Sequence, residues 1–259
     1  MQPSMTVDAA FDLFTRPRRH QRTEVEAALL AQADRSFVAY KAGKLALWSW
    51  GVGPVVLLVH GWEGCGSQFA PFIPSLRARG FRVVSADCPA HGDSTGAASS
   101  VPDFAEAVLE IGHAIGKIAA IIGHSAGAAA SIYAFTRGLA VSSSVHLASP
   151  SSFERGVDRF GALVGLSGHD QAEFRRRVES FVGLPLDETD LPKLRLPGHP
   201  ALLLHDPDDK EVLFVESEFL LAAWPSATLE RIPGVGHRRI LQDERVVDSA
   251  VRFVSAHLN

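Results

Sequence analysis

A serine lies at the centre of the stretch Gly-His-Ser-Ala-Gly at positions 123–127, between an apolar run and a run of alanines. The pattern G-x-S-x-G at a strand-to-helix turn is typical of a nucleophilic serine whose hydroxyl projects from a sharp bend. Strand and helix approach each other closely there, so the flanking residues must be small, as Gly123, Ala126 and Gly127 are. The alternative is that Ser125 only caps the following helix, a position that serine favours.

A serine hydroxyl needs an adjacent base that is oriented by an acid. In chains with this turn the acid and then the histidine follow the serine. The histidine at position 237 lies in the glycine-rich stretch "IPGVGHRRIL", just after a strand-like segment, and His237 is therefore the predicted base. Three aspartates crowd the stretch "HDPDDKEV" after the preceding strand. Asp209 is the predicted acid, and Asp206 is the alternative.

Acyl transfer also needs amide donors for the oxygen that becomes negatively charged. One predicted donor is the backbone N–H of Ala126, directly after the serine. The other is the backbone N–H of Trp62 in the glycine-rich stretch "HGWEGCGS", which follows the apolar run "PVVLLV". Two such donors, aimed at one oxygen, would complete the site.

The elements that must position these residues alternate along the chain. Apolar strand-like runs such as "PVVLLVH", "KIAAIIG" and "PALLLHD" are separated by helical patterns. This alternation predicts an α/β fold with a mostly parallel twisted sheet flanked by helices, as one domain over residues 1–259. It is interrupted at about residues 150–197, where two amphipathic helices are predicted to form a small inserted lid over the site. The last helix is predicted to run from about Arg239 to His257.

Five stretches in the right order carry a resemblance to a known family: "VHGWEGCGSQF", "SADCPAHGDS", "GHSAG", "HDPDDKEV" and "GVGHRRIL". Together they span about residues 45–258, and the chain resembles bacterial proteins of the α/β-hydrolase fold superfamily. The resemblance implies Ser125 as nucleophile, Asp209 as acid and His237 as base. The chain departs from the family's G-x-x-D pattern at one position, because Asp206 stands where the family usually has glycine.

These residues predict a serine hydrolase of the carboxylesterase kind, which cleaves an ester or related acyl bond of a small molecule through an acyl-enzyme intermediate. No cofactor and no metal are implied. Three alternatives stay open: an acyltransferase, an aminopeptidase-like enzyme whose acidic lid residues (Glu154, Asp158 and Glu173) hold the substrate amine, and a non-catalytic binder of small molecules with this fold. The sequence leaves open whether the protein is a monomer or a homodimer.

Composition and charge limit the classes of protein to which this chain can belong. Of 259 residues 46% are hydrophobic, and the formal net charge is −4, so no basic footprint for nucleic acid is present. No apolar run is long enough for a membrane span, and no signal-peptide layout is seen at the start, so a cytoplasmic location is expected. Two cysteines make no disulfide framework. The basic residues between Arg16 and Arg22, and the triplet Arg175–Arg177, are predicted to be solvated.

Overall fold

A computed structural model describes residues 5–258 of the chain. Eight strands are present in that part: β1 (Asp34–Tyr40), β2 (Gly43–Trp50), β3 (Val55–Val59), β4 (Arg82–Ala86), β5 (Ile118–His124), β6 (Ser143–Leu147), β7 (Ala201–His205) and β8 (Ala227–Arg231). The α-helices of the same part are α1 (Val7–Thr15), α2 (Glu24–Leu30), α3 (Phe72–Ala78), α4 (Val101–Ile115), α5 (Ala126–Thr136), α6 (Phe153–Leu163), α7 (Gly168–Val182), α8 (Val215–Ala223), α9 (Gly236–Arg239) and α10 (Glu244–Ala256).

The eight strands form one sheet in the order β1-β2-β4-β3-β5-β6-β7-β8. β2 pairs antiparallel with β1 and β4, and every other neighbouring pair is parallel. Every residue of β3, β5 and β7 is buried, as expected for strands covered on both faces. Helices α4, α5 and α8 pack on one face and α3 and α10 on the other. The predicted fold class is confirmed.

Helices α6 and α7 lie between β6 and β7, where the alternation of the sequence is interrupted. Their buried residues, such as Phe153 and Phe174, join α1 in a third apolar cluster apart from the two faces of the sheet. The ring of Phe14 on α1 lies with its centroid 5.0 Å from that of Phe160 and 5.6 Å from that of Phe174. The N-terminal helix is thus held against this insertion by aromatic contacts.

The prediction of one helix from Arg239 to His257 was wrong. Helix α9 ends at Arg239 and α10 begins at Glu244. Asp243 caps the new helix, because its carboxylate accepts a hydrogen bond of 2.9 Å from the amide of Arg245. Among residues 5–258, no helix combines the length and the apolar character that a bilayer crossing requires.

Candidate active site

Ser125 occupies the turn between β5 and α5 with a strained backbone, at φ 51° and ψ −121°. A side chain at positive φ costs about 1–3 kcal/mol and persists only where the surroundings enforce it. Here they do: a Cβ on Gly123 would lie 2.6 Å from the Cα of Ala128, and one on Gly127 would lie 2.3 Å from the carbonyl oxygen of His60. The Ser125 side chain makes no helix-capping hydrogen bond. The hydroxyl is therefore free to point above the sheet.

This strain gives a first testable prediction. Ser125→Gly and Ser125→Ala both remove the hydroxyl, but only glycine adopts the observed backbone without a Cβ clash. We expect the glycine variant to be more stable than the alanine variant by about 1 kcal/mol, after the greater chain entropy of unfolded glycine is allowed for. Urea denaturation of both variants measures this difference, and an alanine variant of equal or greater stability would contradict it.

The structure brings Ser125, His237 and Asp209 together from three separate parts of the chain. His237 Nε2 lies 2.9 Å from Ser125 Oγ, and His237 Nδ1 lies 2.7 Å from Asp209 Oδ2. The Asp209 side chain is fully buried, and that of His237 is 7% exposed. With Asp209 ionised, Nδ1–H donates to the carboxylate, so Nε2 is left to accept the proton of the serine hydroxyl.

Asp209 is held as a carboxylate by its neighbours. Burial raises the pKa of Asp209, but hydrogen bonds from His205, His237 and the amide of Val212 outweigh burial and keep that pKa well below its usual range. The amides of Glu211 and Val212 donate to Oδ1 at 2.8 and 3.0 Å, which leaves Oδ2 for the imidazole. This carboxylate can therefore orient the ring and stabilise an imidazolium.

The hydrogen bonds of the Asp206 carboxylate go to backbone amides and not to the His237 ring. One of its oxygens accepts a hydrogen bond from the amide of Gly236 and the other accepts one of 2.9 Å from the amide of Asp208. Asp206 thus anchors the backbone directly before His237, while Asp209 contacts the ring itself. Of the two candidate acids, the geometry favours Asp209.

The stretch after β3 approaches the serine closely. A Cβ on Gly61 would lie 3.0 Å from the Cβ of Ser125, so only glycine permits this approach. In the described part of the chain, neither the Trp62 nor the Ala126 amide donates a hydrogen bond to another protein group. The next amide, of Glu63, is occupied, because it donates to His91 Nε2 at 3.0 Å. The two predicted donors are thus available for a substrate oxygen.

Two cavities meet at this point. A small polar one of about 150 Å³ is lined by Ser125, His237, His124, His20 and Gln68. A larger one of about 500 Å³ is mostly apolar and extends over Ala126 toward α6. Trp62, Glu63, Glu211 and Arg238 line both cavities. An acyl compound that spans the junction would place its carbonyl beside the serine.

The sequence analysis missed a buried carboxylate behind the Trp62 loop. Asp87 accepts hydrogen bonds from the amides of Gly66 at 2.7 Å and Asp93 at 2.6 Å. Burial raises its pKa to about 6, against the opposing effect of these amides and of Arg22. The motif "SADCPAHGDS" contains this residue, but no local pattern distinguishes it as an anchor.

The prediction that the basic residues 16–22 are solvated was wrong for part of the cluster. Arg22 is 23% exposed and pairs with Asp87 and Asp93. Arg18 is exposed, but it makes a two-point ion pair with Glu63 in the loop of the candidate oxyanion donors. Arg19 donates to backbone carbonyls of the loop at residues 94–96. The N-terminal segment, residues 5–23, is therefore docked across the site.

The arginine triplet on α7 is also mostly paired rather than only solvated. Arg175 contacts Glu154 at 2.6 Å and also pairs with Asp158. Arg176 contacts Glu173 at 2.5 Å, and Arg177 pairs with Asp8 of the N-terminal segment. The three acidic residues that could have held a substrate amine are thus each occupied by an arginine.

One group of potential metal ligands is found among residues 5–258, namely His20, Glu26 and Cys65. Glu26 already accepts hydrogen bonds from the Thr23 amide at 2.7 Å and from His20 at 3.1 Å. Burial raises the pKa of the Cys65 thiol, which disfavours the thiolate that a metal would bind. These side chains serve as packing and capping groups around the site.

Four buried histidines around the site make hydrogen bonds that hold its scaffold. His60 Nε2 accepts a hydrogen bond from the Cys88 amide at 2.9 Å, and His91 accepts one from Glu63. His124 Nε2 lies 2.9 Å from the carbonyl oxygen of His237, and His205 Nδ1 lies 2.7 Å from Ser217 Oγ. The scaffold of the site is rich in buried imidazoles.

These imidazoles predict that the protein loses stability in mild acid. Burial lowers the pKa of five histidines: to about 4 for His91 and His199, to about 3 for His124 and His146, and well below the ordinary value for His60. Between about pH 6.5 and pH 4 the unfolded chain binds protons that the folded chain does not, so acidification favours unfolding.

Asp87 acts in the opposite direction. Its raised pKa contributes to the stability of the folded chain. This contribution is fully present below the pKa that Asp87 has in the unfolded chain, and it is lost as pH rises through about 6. One carboxyl group is outweighed by five imidazoles, so the denaturation midpoint in urea should fall steadily from pH 7 to pH 5. A midpoint that stays constant or rises over that range would contradict the assignment of buried neutral histidines.

The chain was compared with known proteins. Residues 56–249 match the family model described as the alpha/beta hydrolase family. Over 80 residues the chain is 39% identical to a pimeloyl-(acyl-carrier protein) methyl ester esterase of Methylococcus capsulatus, a match that covers 27% of this chain and 31% of that protein. The chain thus matches about a third of the length of this curated relative.

Solved structures resemble most of the chain. An esterase of Pyrococcus furiosus superposes with a TM-score of 0.71 at 18% identity, over 94% of this chain and 100% of that one. The mouse alpha/beta hydrolase domain-containing protein 10 superposes with a TM-score of 0.69 at 18% identity, over 86% of this chain and 98% of that one. At these identities the likeness shows the fold.

Proposed function

Since the chain belongs to the alpha/beta hydrolase family, we propose that it is a serine esterase in which Ser125, His237 and Asp209 form the catalytic triad. One observation carries the proposal: a continuous line of hydrogen bonds joins the hydroxyl of a strained serine to a histidine and then to a buried carboxylate. A helix cap or a passive binding site requires no such line.

In the first half of the reaction Ser125 Oγ attacks the ester carbonyl carbon, and its proton passes to His237 Nε2. Asp209 stabilises the imidazolium that forms. The carbonyl oxygen becomes negatively charged and accepts hydrogen bonds from the Trp62 and Ala126 amides, each worth about 3 kcal/mol in comparable sites. The ester C–O bond then breaks, His237 gives its proton to the departing oxygen, and an alcohol leaves.

In the second half a water molecule attacks the acyl-enzyme carbonyl and gives a proton to His237 Nε2. The bond between the acyl carbon and Ser125 Oγ breaks, and that proton returns to the serine. The net reaction consumes one water and yields a carboxylic acid and an alcohol. All proton transfers use the same nitrogen of the imidazole, which explains why a single base suffices.

Two findings favour an ester over an aminoacyl amide as substrate. The curated relative in Methylococcus capsulatus is named as a methyl ester esterase. The carboxylates proposed to hold an amine, Glu154, Asp158 and Glu173, are paired with Arg175 and Arg176 and so have little residual attraction for a cation. We therefore propose a small-molecule carboxylic ester as the substrate.

A pH-stat assay with a panel of simple carboxylic esters tests this function, with and without hydroxylamine as a competing nucleophile. The proposal predicts release of the free acid in water, and diversion of part of the acyl group to hydroxamate because a common acyl-enzyme partitions between the two. No acid release from any ester would contradict an esterase. Acyl transfer to an added alcohol with negligible hydrolysis would instead support an acyltransferase.

A further inference from the structure

The two cavities at Ser125 differ in size and in chemistry. The larger one, here called the acyl chamber, has a volume of about 500 Å³ and apolar walls from α1, α5 and α6. The smaller one, here called the alcohol chamber, has a volume of about 150 Å³ and is lined by polar groups together with Leu241. His237, which would protonate the departing oxygen, lies in the alcohol chamber. Ala126, a candidate oxyanion donor, lies in the acyl chamber.

The walls of the acyl chamber suit a long apolar group. Phe153 and Phe160 of α6, Ala129 of α5, and Leu13 and Phe14 of α1 all line the chamber. Phe14 is held in place by rings on three sides, with centroid distances of 5.8 Å to Phe153, 5.0 Å to Phe160 and 5.6 Å to Phe174. Burying an alkyl chain there contributes about 0.8 kcal/mol for each methylene group.

One wall of the alcohol chamber, His20, is fixed by its hydrogen bonds. His20 Nε2–H donates to Glu26 at 3.1 Å, and its Nδ1 lies 3.5 Å from the side-chain amide of Gln68. Glu26 is itself locked in a capping box with Thr23 at the start of α2. His20 therefore cannot rotate away without breaking this set of contacts, and the volume beyond the departing oxygen stays small.

From this asymmetry we propose that the enzyme takes esters that combine an extended apolar acyl group with a small alcohol, and that the N-terminal segment sets both limits. Phe14 closes the acyl chamber and His20 closes the alcohol chamber. Arg18 stands between them and lines the acyl chamber, where it pairs with Glu63 beside the candidate oxyanion donor Trp62. This inference rests on the proposed esterase function and adds a substrate class to it.

The N-terminal segment is well placed for this task. It is tied to the insertion by the aromatic rings around Phe14 and to the loop after β4 by Arg19 and Arg22. The segment is thus fixed to the rest of the chain at Phe14 and again at Arg19 and Arg22. A wall built in this way would hold its position while substrates of different length compete for the chamber.

A matrix of esters tests the proposal. Methyl esters of acetate, hexanoate, octanoate and dodecanoate vary the acyl group, and octanoates of methanol, ethanol, 1-butanol and benzyl alcohol vary the alcohol. For the wild type we expect kcat/KM for methyl octanoate to exceed that for methyl acetate and for benzyl octanoate by at least about tenfold. Phe14→Ala should move the acyl optimum to longer chains, and Leu13→Trp should move it to shorter ones.

The alcohol chamber is tested with the same substrates. His20→Ala should raise kcat/KM for benzyl octanoate relative to methyl octanoate by about tenfold without moving the acyl optimum. The matched control is Phe11→Ala, on the same helix as Phe14 but packed against Phe181 at a centroid distance of 5.7 Å and outside both chambers. It should leave both preferences unchanged. Opposite shifts in Phe14→Ala and Leu13→Trp cannot arise from a general loss of folding.

The outcomes separate this inference from the proposed function. A wild type that hydrolyses no ester overturns the esterase itself. A wild type that hydrolyses esters but prefers short acyl groups and bulky alcohols overturns the assignment of the two chambers. Equal acyl profiles in wild type, Phe14→Ala and Leu13→Trp overturn the role of the N-terminal segment.

Discussion

Ser125→Ala should lower kcat for ester hydrolysis on the order of 10⁴- to 10⁶-fold, the range expected when a covalent nucleophile is lost but the oxyanion donors remain. The fold should survive, because Ser125 uses its amide, not its hydroxyl, to bond the carbonyl oxygen of Leu147 at 2.9 Å. Steady-state hydrolysis of an ester that the wild type accepts measures the loss, and a circular dichroism melt of the same preparation verifies folding.

Ser131→Ala is a matched control for that experiment. Ser131 lies on α5, the helix that follows Ser125, and is fully buried, but its hydroxyl only donates to the carbonyl oxygen of Gly127 at 2.7 Å. Its loss should cost stability of about 1 kcal/mol and change kcat by no more than a few-fold. A Ser125→Ala variant as active as Ser131→Ala would mean that the hydroxyl of residue 125 takes no part in the reaction.

Asp209→Asn should lower kcat about 10⁴-fold, the next largest effect that we expect. The nitrogen of the new side-chain amide cannot accept a hydrogen bond from His237 Nδ1–H, but it can donate one to an unprotonated Nδ1. It therefore favours the tautomer in which Nε2 already carries the proton. That nitrogen can then no longer accept the proton of Ser125. Ester hydrolysis by the purified variant, compared with wild type at the same pH, measures the loss.

Asp206→Asn separates the two candidate acids. Its carboxylate contacts backbone amides of residues 208 and 236 and not the ring of His237. The isosteric amide should therefore reduce kcat by only about tenfold or less, through looser placement of the loop. An Asp206→Asn variant that is more impaired than Asp209→Asn would reverse the assignment of the acid.

Much of the fold could be predicted from the sequence because its signals are local. Strands buried on both faces leave uninterrupted apolar runs, and the turn at Ser125 leaves a cluster of small residues that the crowding of Gly123 and Gly127 requires. The acid was harder to identify. Three aspartates lie within four positions, and only the folded chain shows which carboxylate reaches a histidine 28 residues further on.

The walls of the site could not be predicted, because they depend on contacts between distant residues. Arg18 reaches Glu63 across 45 positions and Arg22 reaches Asp87 across 65. Arginines close together near a chain terminus look the same in a sequence whether they are solvated or paired. The same limit applies to Phe14, whose partners on α6 and α7 lie well over a hundred residues away.

The central claim is that Ser125 is a nucleophile activated by His237. The most direct measurement is intact-mass and peptide mass spectrometry after reaction with a fluorophosphonate, which reacts preferentially with activated serines. The account predicts one adduct per chain, on the peptide that contains Ser125, and its loss in His237→Ala. An adduct on another residue, or an active enzyme that acquires none, would contradict the account.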